Sequence, residues 1–411
     1  MPGGVLKGVR VLDFGRYIAA PFCSALLADL GAEVIRIEGI EGNDDRFVMP
    51  VTETEGALFL QVNRNKASLP IDMRHPKAPE LIRRLVAASD VVVCNMVPKA
   101  LARLGLDYPS LSAIRPDIIL TNVTAFGAEG PERNSLGFDG TGQAMSGALY
   151  LSGLPGQPYR AAVSYVDYGT AFASAFGTLA ALLDRDRTGH GQEVKASLLG
   201  TALTMMNPIL IEQASGRRVR VATGNRSPIA GPSDVFATRD GFVMVQVIGQ
   251  DMFRRWLGLV GAADLEDDPR FADDIGRGEN GAILSERMGA WCRDKTTEEC
   301  LAALRAARIP GCPVLSPGQA LDQSQVEQGG LLEWVDVEGL EQPVPLAVPI
   351  RLSRNEIGEI APAPFLGKGI RPILNRIGFT DAEIQDLEAA RVISLAGDDE
   401  ASAVLAGAGA T

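Results

Sequence analysis

Asp167 is the residue in this sequence whose type and setting best suit covalent chemistry. It stands in Ala161-Ala162-Val163-Ser164-Tyr165-Val166-Asp167-Tyr168-Gly169-Thr170, between a strand-like run at 163–166 and a helix-like run that continues to Leu183. The small and apolar residues of that second run predict a helix buried almost all round. A carboxylate at the N-terminus of such a helix is held ionised by the partial positive charge there, which suits a nucleophile that must stay deprotonated in an apolar cleft. Asp is also a favoured N-cap, because its oxygen satisfies free N–H groups of the first turn. The two roles are compatible.

Other chemistries find less support. The two histidines are His75, in a turn before Pro76, and His190, in the Thr188-Gly189-His190-Gly191 turn. Both read as structural or exposed, and the Ser elbow that a Ser-His-Asp arrangement requires is missing. Cys23, Cys94, Cys292, Cys300 and Cys312 form an odd, scattered set without a CxxC pair, so neither a disulfide framework nor a metal site is indicated. They read as mostly buried thiols. No GxGxxG separates the first strand from the first helix, and the Asp13/Glu38 pair does not replace it, so a dinucleotide phosphate site is unsupported.

The elements that position Asp167 are those of an α/β chain. Strand-like runs at 9–14, 32–38, 68–73, 90–96 and 117–127 alternate with helix-like runs at 19–31, 76–89 and 99–114. The first strand, helix and strand form a β-α-β unit, which implies a parallel sheet. Asn95-Met96-Val97-Pro98 follows a strand C-terminus, where open α/β sheets bind ligands. A strand at 192–198 and a helix to about Gln213 come after the Asp167 helix. Residues 215–234 are basic and rich in Gly, Pro and Ser, and read as a crossing segment or loop. A hairpin at 234–249, three helices to residue 309, short β character at 331–353 and a helix at 380–390 complete the pattern.

With 411 residues, two domains are expected. The net charge of -12, from 39 basic and 51 acidic residues, argues against broad binding to nucleic acid or to an anionic membrane. No secretory signal or uninterrupted apolar span of membrane length is evident, so a cytoplasmic, soluble protein is expected.

The order of the landmarks GVRVLDFGRYIAAPFCSALLADLGAEVIRIE, NRNKASLPIDMRHP, DVVVCNMVPKALARLGLDYPSL, GFDGTGQAMSG, the Asp167 segment, RTGHGQEVKASLLGTAL and RIPGCPVLS resembles the class III CoA-transferases. That group includes formyl-CoA transferase and carnitine CoA-transferase and is related to α-methylacyl-CoA racemase. The likeness runs from about residue 5 to 390.

The resemblance implies a large Rossmann-like domain built from both chain ends, a smaller α/β domain and an interlocked homodimer. On this basis residues 1–215 form the N-terminal part of the CoA-binding domain, 216–330 the small domain, 331–395 a crossing segment and return, and 396–411 a frayed tail. It implies that Asp167 attacks an acyl-CoA thioester to give a mixed anhydride, then an aspartyl-CoA thioester that a second carboxylic acid reverses. Activation is thereby kept without ATP or a permanently bound cofactor, with the CoA thioester entering as substrate. The family's CoA contacts fall on Tyr17, Ile18, Ala19, Ile71, Asn95, Met96 and Arg103, the last opposite a phosphate. Gly224 and Gly231 lie in the stretch matching its glycine-rich active-site loop. Ile18 replaces a glutamine of formyl-CoA transferase, which argues against formyl or oxalyl specificity, and Gly39 replaces an arginine near the adenine. The related racemases carry Gly-His-Asp where this chain has Gly137-Phe138-Asp139, and phenylalanine cannot carry a proton. Intramolecular transfer of CoA within one diacid would use the same Asp167.

Overall fold

The computed structural model describes residues 4–355 and 359–396. The predicted tail at 396–411 therefore lies, after Ala396, outside the described residues. The chain divides into two units, one comprising 1–146, 163–205 and 329–411, the other 147–162 and 206–328. Segment 147–162, which the sequence reading keeps with the N-terminal part, thus groups with the second unit, and the next boundary falls at 205/206 rather than 215/216.

The first unit is built on a six-stranded sheet: β1 (Arg10–Asp13), β2 (Glu33–Glu38), β3 (Lys66–Pro70), β4 (Val91–Cys94), β5 (Ile119–Thr124) and β6 (Glu193–Ser197). Every neighbouring pair is parallel, in the order β3-β2-β1-β4-β5-β6. This is the doubly wound order, in which the strand sequence reverses between β1 and β4 and opens a crevice at their C-terminal ends. Residue alternation sends Val91 and Val93 of β4 into one core cluster and Val92 and Cys94 into another. Both faces are covered, which is why these strands read as continuous apolar runs. The C-terminal segment returns to this unit: Ile370, Leu374, Ile384 and Ile393 fill the second cluster, and Ile393 forms an antiparallel bridge with Ile71.

Three helices of this unit matter for the site: α1 (Ala19–Asp29), α2 (Asp139–Met145) and α3 (Tyr165–Thr188). Residues 163–166, expected as a strand, are not one, because Ala162 and Val163 bend and α3 begins at Tyr165. The β-branched and aromatic composition there is overridden by packing on the sheet. α3 packs on α1, β5 and β6 through Thr170, Ser174 and Thr178. Each of these buried hydroxyls donates 2.7 Å to the carbonyl four residues earlier, so its burial leaves no donor unpaired. The expectation of burial all round fails on the other face, where Phe172, Phe176 and Leu183 are exposed. α3 is also long and apolar enough to cross a membrane, contrary to the expectation that no such span exists, although one face is committed to the sheet. The predicted helix at 99–114 is two, Pro98–Leu104 and Tyr108–Ile114, because Gly105 takes a left-handed conformation at φ 66 and closes the first.

The second unit carries an antiparallel three-stranded sheet of Ser233–Ala237, Phe242–Gln246 and Gly311–Pro313. Helices Gln250–Val260, Gly281–Cys292 and Thr297–Ala306 cover its core, centred on Phe253, Trp256 and Phe271.

Candidate active site

Asp167 lies in the third position of α3 and is 8% exposed. It is not the N-cap, a position held by Ser164. The free amides of that first turn are occupied instead by Asp139, whose Oδ1 accepts from Val166 N at 2.8 Å and Asp167 N at 3.3 Å. Gly142 permits this approach, since a Cβ there would meet Val166 Cγ1 at 2.8 Å and the Leu198 carbonyl oxygen at 3.2 Å. The sequence reading holds Asp167 ionised by the helix terminus, and the structure corrects it. Burial and the neighbouring Asp139 carboxylate push the Asp167 pKa up to about 7.

The Asp167 carboxylate borders a cavity of about 290 Å3 at the C-terminal ends of β1, β4 and β5, the crevice the strand order creates. Five of the expected CoA contacts, Tyr17, Ile18, Ala19, Asn95 and Met96, line the same cavity. Phe138 also borders it, edge-on to Tyr17 with ring centroids 5.5 Å apart. The α1 N-terminus opens here too, and its N-cap Ile18 offers no side-chain hydrogen bond to the first-turn amides. Such a terminus favours negative charge that develops in front of it.

The remaining expected residues are placed elsewhere. Ile71 is 1% exposed and packs in the core, so its side chain does not face this cavity. Arg103 borders a separate cavity of about 340 Å3 in the same unit, with Met73, Ile82 and Arg83. Gly224 and Gly231 belong to the second unit. Gly224 has φ +68, and a Cβ on Gly231 would meet the Arg277 carbonyl oxygen at 2.8 Å, which accounts for glycine at both positions without reference to chemistry.

Beneath the cavity lies a network that the sequence reading misses. The loop after β1 has its main chain fixed by side chains: Gly15 N donates to Asp13 Oδ1 at 2.8 Å, and Arg36 donates to Gly15 O at 3.1 Å. Asn95 both accepts from Arg16 N at 2.9 Å and donates to Arg16 O at 2.8 Å. Tyr17 N donates to Asp45 at 2.9 Å, which helps hold Tyr17 in an unfavourable left-handed conformation at φ 64. Asp45 pairs in turn with Arg36 at 2.8 Å, and Asp13 with Lys66 at 2.7 Å, all four side chains being buried. The available signal was a charge inside a strand meant to be wholly buried, as with Arg36 in EVIRIE, since such a charge requires a partner.

Among the described residues, no cluster of three His, Cys, Asp or Glu is arranged to hold a metal ion. The arrangement offers a buried carboxylate at the cavity wall, the N-terminus of α1 beside the same cavity and no histidine in the cavity lining.

The chain matches the family model for CoA-transferase family III over residues 6–369. It is 33% identical to succinyl-CoA–D-citramalate CoA-transferase of Chloroflexus aurantiacus, over 95% of this chain and 99% of that one. It is 30% identical to succinyl-CoA:glutarate CoA-transferase of Mus musculus, over 90% of this chain and 86% of the relative. Among solved structures, a CaiB/BaiF family protein from Brucella suis superposes with TM-score 0.78 at 32% identity, covering 91% of this chain and 99% of that one.

Proposed function

This chain belongs to CoA-transferase family III, and we propose that it moves CoA from an acyl-CoA thioester to a carboxylic acid through covalent intermediates on Asp167. The observation that carries this reading is Asp167 at the wall of the switch-point cavity, with no cationic side chain paired with it among the described residues. In its ionised form it attacks the thioester carbon. A C–O bond forms, the tetrahedral oxyanion collapses, the C–S bond breaks, and CoA leaves as a thiolate. The thiolate then attacks the Asp167 acyl carbon of the mixed anhydride, releasing the donor acid as its carboxylate and leaving an aspartyl-CoA thioester. The acceptor carboxylate reverses both steps. Nucleophiles and leaving groups are all anions, so no general base is required. The α1 N-terminus at Ile18 and Ala19, which line the same cavity, supports stabilisation of the negative charge that this reaction would develop there.

We assign Tyr17, Ile18, Ala19, Asn95 and Met96 to the acyl and thiol end of CoA, which supports productive placement of the thioester beside Asp167. Arg103 and the main chain at Ile71 are assigned to the remainder of the CoA molecule, and the loop with Gly224 and Gly231 to shielding of the intermediates from water. The protein is assigned to the cytoplasm, as an interlocked homodimer. The exposed Phe172, Phe176 and Leu183 of α3 support assembly, because a row of large apolar side chains gains by being covered. Phe138 at the cavity wall weighs against racemisation, since that place lacks a proton carrier.

Incubation with succinyl-CoA, followed by intact-protein and peptide mass spectrometry, tests the chemistry. An adduct of CoA mass on the peptide containing Asp167, converted by hydroxylamine to a hydroxamate, is the expected result. Transfer of CoA between acids without any adduct, or an adduct on another residue, would overturn the assignment.

A further inference from the structure

Among the described residues that line the Asp167 cavity, Arg16 alone carries a positive charge. Its main chain is fixed from both ends by Asn95, while its guanidinium lies over the Tyr17 ring, 5.8 Å from the centroid. That side chain is 44% exposed and has one ion pair, at 3.0 Å to Asp44, whose own side chain is 86% exposed. An ion pair so open to water contributes little and exchanges readily. Arg36, Arg46 and Arg64 nearby are different, each buried and committed to carboxylates. Arg16 therefore combines a fixed main chain and a guanidinium with a replaceable partner, on a residue that lines the same cavity as Asp167.

We propose that Arg16 binds the second carboxylate of a dicarboxylate substrate while the first carboxyl group reacts at Asp167, and so sets the enzyme's preference for dicarboxylic acids and their CoA half-thioesters. The inference rests on the transfer reading above and adds a substrate-selecting residue to it. A guanidinium fork matches a carboxylate in two-point geometry. It also offsets the repulsion that a dianion meets on approaching an ionised Asp167. The phosphates of CoA are the other anions in the reaction, but the pantetheine arm places them many bonds from the thioester carbon. Arg16 lines the same cavity of about 290 Å3 as Asp167, which favours the free end of a short acyl chain over a distant phosphate as its partner.

The test uses acceptor pairs that differ only in a terminal carboxylate or methyl group, succinate against butyrate and glutarate against pentanoate, with one fixed acyl-CoA donor. Wild-type enzyme is expected to favour the diacid of each pair. Arg16→Gln should lower the diacid-to-monoacid ratio of kcat/KM by about 100-fold, mainly through the KM of the diacid, and Arg16→Lys should lose less. Asp44→Asn removes the competing anion and should raise the same ratio a few-fold. Circular dichroism checks that each variant is folded. A ratio unmoved by Arg16→Gln, or a wild-type preference for the monoacids, overturns the inference while leaving the transfer reading intact. An unmoved ratio with weaker binding of desulfo-CoA would reassign Arg16 to a CoA phosphate. If wild-type enzyme transfers CoA to no acid in the panel, the transfer reading falls and this inference with it.

Discussion

Asp13 and Asp167 are both buried aspartates of the first unit, and burial acts on them with opposite outcomes. At Asp13, burial raises the pKa, but the charges of Lys66 and Arg36 and hydrogen bonds from Lys66 and Ser24 more than reverse it, and the carboxyl is held below its ordinary value. At Asp167, burial raises the pKa, Asp139 raises it further, and a main-chain hydrogen bond offsets only part of the increase, giving about 7. The difference lies in who stands opposite. A compensated carboxylate is a structural part, inert because its lone pairs are taken. At an uncompensated one no cation opposes the charge and a main-chain hydrogen bond offsets only part of it, which leaves it open to solvent or substrate.

The comparison is broken most directly by removing the charge of the uncompensated member. Asp167→Asn is nearly isosteric, and turnover should fall by at least about 1000-fold, as expected when a covalent nucleophile is lost. The same change should raise stability at pH 8. In the folded state Asp167 titrates near 7, above its unfolded value near 3.8, so the folded state binds more protons in between and loses stability as pH rises through that window. Asparagine removes that loss. The full shift corresponds to about 4 kcal/mol, and residual solvent access reduces the expected gain to about 2 to 3 kcal/mol. Urea melts at pH 5 and pH 8 check this: the advantage of the variant should grow between the two. A variant that is inactive and destabilised equally at both pH values would place Asp167 with Asp13, among the structural carboxylates.

Removing compensation from the other member should have a structural effect of similar size. Lys66→Met leaves Asp13 buried without its 2.7 Å partner, and a broken buried ion pair costs about 3 to 5 kcal/mol. Chemical denaturation should show the loss. Asp13→Asn in the Lys66→Met background should recover part of it, because the orphaned charge is gone.

A smaller change sharpens the comparison without breaking either site. Asp139→Asn retains an oxygen to accept from Val166 N and Asp167 N but removes the charge that raises the Asp167 pKa. The wild-type pH–rate profile should have an acidic limb near pH 7, below which the nucleophile is protonated, with activity rising as pH rises through it. In Asp139→Asn that limb should move to lower pH, while the plateau changes little. A limb that stays in place would assign the wild-type profile to burial alone or to another group.

How far the sequence could be read follows the same division. Alternation of apolar runs and helical patterns suffices for a parallel sheet and for Asp167 beside a helix start, because those signals are local. Phe138 was legible by contrast with a motif. Asp139 as the partner of the first-turn amides was not, since 27 residues separate it from Val166 and only folding joins them. Arg36, Asp45 and Lys66 were hidden for the same reason: each looks like an ordinary charge until the sheet buries it. The exposed face of α3 was misread because small residues along Thr170, Ser174 and Thr178 resemble core on every side, whereas they mark only the side that touches the sheet.

Asn95 stands between the two regimes and gives the smallest expected effect. The resemblance makes it a CoA contact, and it does line the cavity. Yet one amide oxygen lone pair and one N–H are already committed to the Arg16 main chain, at 2.9 Å and 2.8 Å. An Asn side chain has another lone pair and another N–H, so it can do both. If it only fixes the loop, Asn95→Ala should cost about 1 to 2 kcal/mol of stability and raise the KM of every acyl-CoA through the displaced loop. If it only touches CoA, stability should be unchanged. We expect both effects, each modest: about 1 kcal/mol in urea melts and a several-fold rise in KM, with kcat nearly retained because Asp167 is held by α3 rather than by this loop. A loss confined to kcat would contradict both roles and would mean that the loop shapes the transition state, which would move Asn95 from the compensated scaffold to the reactive wall.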